Sequence, residues 1–465
     1  MWRRSVVTGY RRPPAAATTR GRGTINESAV SHAARDDAGG RPVYIVDGAR
    51  TPFLKVRGGP GPFTPVDLAV QCGRPLIDRQ EIARDAFDAV ILGCVNAIAD
   101  EMNPARVAAL RLGLGPSTVA WTAQINCGSG MLSIDAAYRA IRGRQADLVL
   151  AGGAESLSHA PLVFRRAAAG WFGSLMTARG PLARAKALLG FRPRFLRPVV
   201  GLERGLTDPV VELNMGQTAE ITAHLFRVSR EASDAYAAES HRRLALAQAS
   251  GWLAGEVEPA VTRGGQVLDI DDGVRPDSTP ERLAALQPAF EPPWGKVTAG
   301  NASQITDGAC WVILASEEAL ERHRLRPRAV IVDSQWSALD PSIMGLGPTL
   351  CATEILKRRN MNMDGIDLWE LNEAFAAQVL SCLAAWADAD YCETVLGLDG
   401  PLGLIGRDRL NPDGGAISLG HPVGASGNRI VLHLVNALHR MELNRGIATE
   451  CIGGGQGGAM LIERI

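Results

Sequence analysis

The chain has 465 residues, 46% apolar and 21% charged, the make-up of a soluble globular protein with room for two or three domains. Its 49 basic residues balance 49 acidic ones, so no overall field draws it to nucleic acid or membranes, and no nucleic-acid motif accompanies that neutrality. Eight cysteines without a Cys-x-x-Cys pair argue against a zinc knuckle or a disulfide framework and suit a reducing, cytoplasmic compartment. No apolar run reaches the roughly 18 residues of a spanning helix. Residues 1–40 stand apart: Arg3, Arg4, Arg11, Arg12, Arg20 and Arg22 precede the first acid, Glu27. They read as a disordered leader, with Pro13 and Pro14 interrupting any long helix; the alternative is a mitochondrial transit peptide.

Folded structure is expected from "RPVYIVDGARTPF", a buried strand closed by a Gly- and Pro-bearing loop. Helices near 66–79 and 104–112 then alternate with strands at 87–95 and 118–125. "QINCGSGMLSIDAA" leads from strand to helix, and "ADLVLAGGAES" reads as another buried strand. This alternation implies a layered α/β core. After residue 316 it resumes: a strand in "RAVIVDSQ", helices near 349–358 and 373–387, and a helix following "HPVGASGNRI". The closing "TECIGGGQGGAMLIERI" echoes "LVLAGGAESLS", a weak sign of internal duplication. The organisation expected is a first half at 41–315 that includes an inserted region at about 159–296, and a second half at 316–465.

Four short stretches carry chemistry-bearing residues. Cys127 stands at the start of a helix, where the dipole lowers a thiol pKa; a buried structural cysteine is the plain alternative. Asn372 in "ELNEAF" suits a helix cap as well as a catalytic role. His421 lies in a Gly-Pro turn, and alone it is a polar loop residue. Cys451 precedes three glycines, which allow close backbone approach to a ligand. Together they are less ordinary. A cysteine beside a histidine is an activated nucleophile, and a second cysteine supplies an acid/base for a weak carbon acid. The N–H groups of Cys127 and Gly453, with Asn372 and His421, suit thioester oxyanions.

With these motifs the chain resembles the thiolases, acyl-CoA:acetyl-CoA C-acyltransferases, from about Arg41 to the C-terminus. "GARTPF", "GGAESLSHAP", "NMGQTAE", "VTAGNASQITDGA" and "MGLGP" match in order. The resemblance implies an α/β, thiolase-like duplicated five-layered α-β-α-β-α core with an inserted loop domain. It implies that Cys127 carries the acyl group, His421 accepts its proton, and Cys451 handles the α-proton of the acetyl unit. Asn372 and His421 would hold a water in one oxyanion hole; the N–H groups of Cys127 and Gly453 would form the other. Ser303 and Met344 would line the path of the CoA pantetheine. No metal or dissociable cofactor is implied, since CoA is itself a substrate, and a homodimer or dimer of dimers is expected. A ketoacyl synthase would place a second histidine where Cys451 stands, and a non-catalytic lipid carrier would lack one of the four residues.

Within the family, "FRPRFLRP" and the long segment at 159–213 resemble the β-subunit of fatty-acid oxidation complexes, which implies β-oxidation and a hydratase/dehydrogenase α-subunit as partner. Asn372-Glu373-Ala374-Phe375 departs from the His-Glu-Ala-Phe of that branch and has the form of biosynthetic acetoacetyl-CoA thiolases. Asn214 stands where the shorter enzymes often carry His. Residues 163–204 hold nine basic residues against one acid, Glu203. Trp171, Phe172, Leu175 and Met176 share one helix face, continued by Leu182, Ala185, Leu188 and Leu189. This composition suits a membrane surface or a partner's groove, or else an insertion packed on the body.

Overall fold

The computed structural model describes residues 40–465, so the Arg-rich leader lies outside the described residues. The first half builds β1 (Tyr44–Arg50), α1 (Pro65–Arg79), β2 (Ala89–Gly93), α2 (Pro104–Arg111), β3 (Val119–Ala123), α3 (Ser129–Arg142) and β4 (Leu148–Ser156). An excursion follows with α4 (Arg166–Thr177), α5 (Pro181–Leu189), α6 (Met215–Leu225) and α7 (Arg230–Ala249), and the chain returns as β5 (Thr306–Ala315). The second half comprises β6 (Ala329–Ala338), α8 (Gly347–Arg358), β7 (Leu368–Leu371), α9 (Ala376–Ala387), α10 (Val423–Arg440), β8 (Arg445–Ile452) and β9 (Gln456–Arg464). Local chemistry sets several starts. Thr64 Oγ1 accepts from the Asp67 N–H while the Asp67 carboxylate accepts from the Thr64 N–H, a capping box ahead of Pro65. Asn214 caps α6 the same way with Gln217, which is a use for asparagine at that position.

The strands form one sheet in the order β7-β8-β9-β6-β1-β5-β4-β2-β3, with Leu54–Lys55 added beside β5. Its two halves repeat one pattern. In the first, β1–β5 and β5–β4 are antiparallel and β4–β2 and β2–β3 parallel. In the second, β6–β9 and β9–β8 are antiparallel and β8–β7 parallel, with an isolated parallel bridge from Trp369 to Leu410 in the place of β3. Within the sheet, the pairs Tyr44–Val330 and Ile45–Ala329 join β1 to β6 and so one half to the other. The duplication expected from the two Gly-Gly strands is therefore present as topology.

Alternation along each strand feeds two cores at once. On β5, Ala309, Trp311 and Ile313 face α1 and α2, while Cys310, Val312 and Leu314 face a central layer. That layer consists of α3 and α10, with Ile134, Ile141, Ile430 and Leu434 packed between Ile91 of one half and Met460 of the other. A third core places Ile355 of α8 and Trp386 of α9 on Trp369 and Leu461. Helices, sheet, helices, sheet, helices: the five layers follow from three separate apolar cores.

Two boundaries differ from expectation. Helix α9 begins at Ala376 rather than 373, because Phe375 is extended and bridged to Ala302. Helix α10 begins at Val423, so most of "HPVGASGNRI" is itself helical. Its glycines allow backbone contact: a Cβ on Gly153 of β4 would lie 2.1 Å from the Gly424 oxygen, and one on Gly130 of α3 would lie 2.7 Å from the Asn428 nitrogen.

Candidate active site

Cys127 occupies the turn between β3 and α3. Asn126 before it takes the left-handed conformation at φ 49°, which asparagine tolerates better than most residues. Ser129 closes the turn, its Oγ donating to the Asn126 oxygen at 2.6 Å and accepting from the Ile125 N–H at 2.9 Å. Asn126 Nδ2 donates to the Gly453 oxygen at 2.8 Å, tying this turn to the one after Cys451. The thiol pKa is pushed up to about 11 by burial, with Glu450 and Glu155 raising it further against a backbone hydrogen bond from Gly453. Desolvation of the thiolate therefore works against the lowering expected at a helix start.

Cys451, near the end of β8, is buried against Met344, Phe375, Ala374 and Val297, with Met215 and Phe290 at the margin. Burial holds its thiol well above the ordinary value, and the neighbouring Cys127 sulfur raises it further. Asn372 follows β7 and donates its backbone N–H to the Thr449 oxygen at 2.9 Å, which sets it level with Glu450 and Cys451. Both polar atoms of its buried side chain lack a hydrogen-bond partner among the described residues.

His421 is buried, with Nδ1 2.6 Å from Ser426 Oγ and Nε2 unpartnered among the described residues. Burial, then Arg429, lowers its pKa to about 4, so the ring is a neutral base at pH 7. Residues 301–304 fasten these turns together. The Ala376 N–H donates to the Asn301 oxygen at 2.9 Å, the Ser303 N–H to the Ala374 oxygen at 3.0 Å, and the His421 N–H to the Gln304 oxygen at 3.0 Å. Ser303 is half-buried and Met344 buried.

Five further residues position this site and were not singled out from sequence. Glu373 accepts from Tyr236 Oη at 2.9 Å, Ser240 Oγ at 2.7 Å and Asn411 Nδ2 at 3.0 Å, locking the turn beside Asn372. Glu155 accepts from the backbone N–H groups of Val95, Asn96 and Gly424 and so pins the start of α10; burial raises its pKa to about 7. Glu450 is fully buried with both oxygens unpartnered among the described residues, and burial raises its pKa well above the usual range. Asn126 and Ser426 complete the set. Asn126, Glu373, Glu450 and Ser426 lie within or directly beside the motifs, and that adjacency was the available signal.

Residues 43–318 match the family description "Thiolase, N-terminal domain" and residues 325–464 match "Thiolase, C-terminal domain". The chain belongs to the thiolase family. It is 40% identical to a β-ketoadipyl-CoA thiolase of Pseudomonas aeruginosa over 430 residues, covering 91% of this chain and 100% of the relative. It is 37% identical to the mitochondrial 3-ketoacyl-CoA thiolase of Bos taurus, covering 91% and 98%. The crystal structure of human mitochondrial 3-ketoacyl-CoA thiolase in complex with CoA superposes with a TM-score of 0.78 at 36% identity, covering 91% and 98%. As a thiolase, the protein is an acyltransferase of the acetyl-CoA C-acyltransferase type.

Proposed function

We propose that this thiolase cleaves 3-ketoacyl-CoA with CoA, giving acetyl-CoA and a shortened acyl-CoA, in fatty-acid β-oxidation. The observation that carries the reading is the convergence of two cysteine turns and one neutral buried histidine, joined through Asn126, Gly453 and residues 301–304. The Cys127 proton passes to His421 Nε2 as sulfur attacks the C3 carbonyl. The C2–C3 bond breaks, leaving the acyl group on sulfur, and Cys451 protonates the departing acetyl-CoA carbanion. The CoA thiol then gives its proton to the Cys451 thiolate and takes the acyl group, while the departing Cys127 sulfur recovers its proton from His421. Asn372 with His421, and the N–H groups of Cys127 and Gly453, hold the oxyanions. Ser303 and Met344 line the pantetheine path. CoA enters as substrate, and the electron balance needs no redox cofactor.

The apolar surroundings of Cys451, with Met215, Phe290, Met344 and Phe375, suit an alkyl chain. A second reading, cleavage of β-ketoadipyl-CoA, is favoured by the Pseudomonas relative. Rates on 3-ketoacyl-CoA of increasing length against β-ketoadipyl-CoA separate the two. The core assignment is tested by Cys127→Ala: turnover is lost with the fold intact, and mass spectrometry of the wild type finds the acetyl adduct on Cys127. An adduct only at another cysteine rejects it.

A homodimer is part of this reading. Strand β3 is the open edge of the sheet, with Val119 62% and Trp121 40% exposed, and an open apolar edge invites pairing with a second copy. All eight cysteines are unpaired, which supports a cytoplasmic location.

A further inference from the structure

Glu450 carries an ionisable group into a layer built of hydrocarbon. Along β8 the side chains alternate: Ile447 enters the outer core and Cys451 the reacting site, while Ala448 faces the central layer of α3 and α10. Glu450 and Ile452 share the face of Ala448. A Cβ on Gly128, the residue before α3, would lie 2.5 Å from Ile452 Cδ1, so this face of β8 runs under the start of that helix. A Cβ on Gly427 of α10 would collide with Glu450 Oε1 and would lie 2.6 Å from the Met131 nitrogen in the first turn of α3. The carboxyl is thus wedged where α10 meets the end of α3 that carries Cys127. Both of its oxygens are buried and without a hydrogen-bond partner among the described residues.

A carboxylate there would lack both water and donors, whereas the neutral acid loses far less on burial. The cation acting on it among the described residues is Arg429, already engaged, since its Nη1 donates to Glu370 Oε2 of β7 at 3.0 Å. Burial therefore raises the Glu450 pKa well above the usual carboxylate range, and Arg429 only partly opposes it. The other ionisable groups of the packed elements are settled. Asp135 of α3 pairs with Arg139, and His433 of α10 lies between Glu256 and Asp413. His421 is neutral at pH 7, and Glu155 of β4 is held by the N–H groups of Val95, Asn96 and Gly424. What an ionised Glu450 would act on is sulfur: Cys127, Cys451 beside it and Cys351 of α8. Carboxylate and Cys127 thiolate would compete for one positive helix end.

We propose, on the reading of Cys127 as the nucleophile, that Glu450 must hold its proton for Cys127 to react. As the neutral acid it leaves the start of α3 free to receive the thiolate; as the anion it keeps Cys127 a thiol. Glu450 is a positioning residue that acts through Cys127. It exchanges no proton with substrate, and the Cys127 proton still passes to His421.

Cys127 is half-buried while the other seven cysteines are buried, so alkylation by iodoacetamide, read on the Cys127 peptide by mass spectrometry, follows its thiolate without any acyl transfer. The full-length wild type, Glu450→Gln and Glu450→Met are compared from acid to alkaline pH. While Glu450 is protonated in the wild type, all three should alkylate at similar rates. Above its ionisation both variants should run about 10-fold ahead of wild type, equivalent to about one pKa unit at Cys127. Glu155 is present in all three proteins, so its effect on Cys127 cancels in the ratio. Either variant decides the matter if the other does not fold. A ratio to wild type that stays constant with pH overturns the proposal, as does a rise in just one of two folded variants. A rising ratio in a protein that acetyl-CoA leaves without an adduct on Cys127 supports the proposal and rejects the acyl-transfer reading.

Discussion

His421 and Ser426 form a 2.6 Å contact between Nδ1 and Oγ across the first turn of α10. The Ser426 hydroxyl donates to the Pro422 oxygen at 3.2 Å, so Oγ accepts from Nδ1–H and the lone pair is left on Nε2. The base is thereby aimed before substrate arrives. Ser426→Ala should lower kcat about 100-fold through misplacement of the ring, with KM little changed. Steady-state kinetics with acetoacetyl-CoA decides it; an unchanged kcat would show that packing alone orients the imidazole.

The two cysteines should separate by function when each is removed. Cys451→Ala retains the nucleophile and its base, so it should still take up an acetyl group on Cys127. It should fail to exchange the α-protons of acetyl-CoA, because the group beside the carbanion is gone. Deuterium wash-in followed by mass spectrometry reads this directly, and exchange near the wild-type rate removes Cys451 from the mechanism.

Far from the reacting groups, α10 carries a second buried histidine with the opposite behaviour. His433 Nδ1 lies 3.0 Å from Glu256 Oε2 and Nε2 lies 3.2 Å from Asp413 Oδ2, while Arg50 bridges Glu256 and Asp271. Burial disfavours its charge, but Glu256 and Glu370 outweigh that and raise its pKa from 6.5 to about 10. The sign follows: the raised folded value gives stability that is complete below 6.5 and lost as pH rises through about 10. His433→Gln should cost about 1.5–3 kcal/mol near neutrality, because Glu256 and Asp413 each lose one charged partner while Arg50 and Arg440 remain. Melting curves of wild type and variant should converge as pH approaches 10 and above. A gap that stays constant with pH would show that the ring is neutral in the folded state.

The open edge at β3 makes a claim about assembly. Trp121→Asp places a charge in the strand that a second copy would cover, so the sedimentation mass should fall from dimer to monomer. Cys127 follows this strand by a few residues, so thiolysis should fall as well. A dimer that persists with full activity would move the interface elsewhere.

How much of this was legible in the chain depends on the range of the force concerned. Strand and helix order and the stretches bearing Cys127, Asn372, His421 and Cys451 are local signals: alternation, capping residues, and glycine where backbone must approach closely; the five layers were implied by the family resemblance. Burial is not local. The thiol of Cys127 stands at a helix start as read, yet its pKa rises, because burial desolvates the thiolate and the charges of Glu450 and Glu155, on two other strands, add to that. Glu373 reads as a mere neighbour of Asn372 until Tyr236 and Ser240 of α7 and Asn411 meet it from two distant segments. The amphipathic pattern at 171–189 was plain in sequence, but a pattern states only which side chains share a face. Whether that face meets the body or the solvent depends on where the rest of the chain stands, and here tertiary packing left it uncovered.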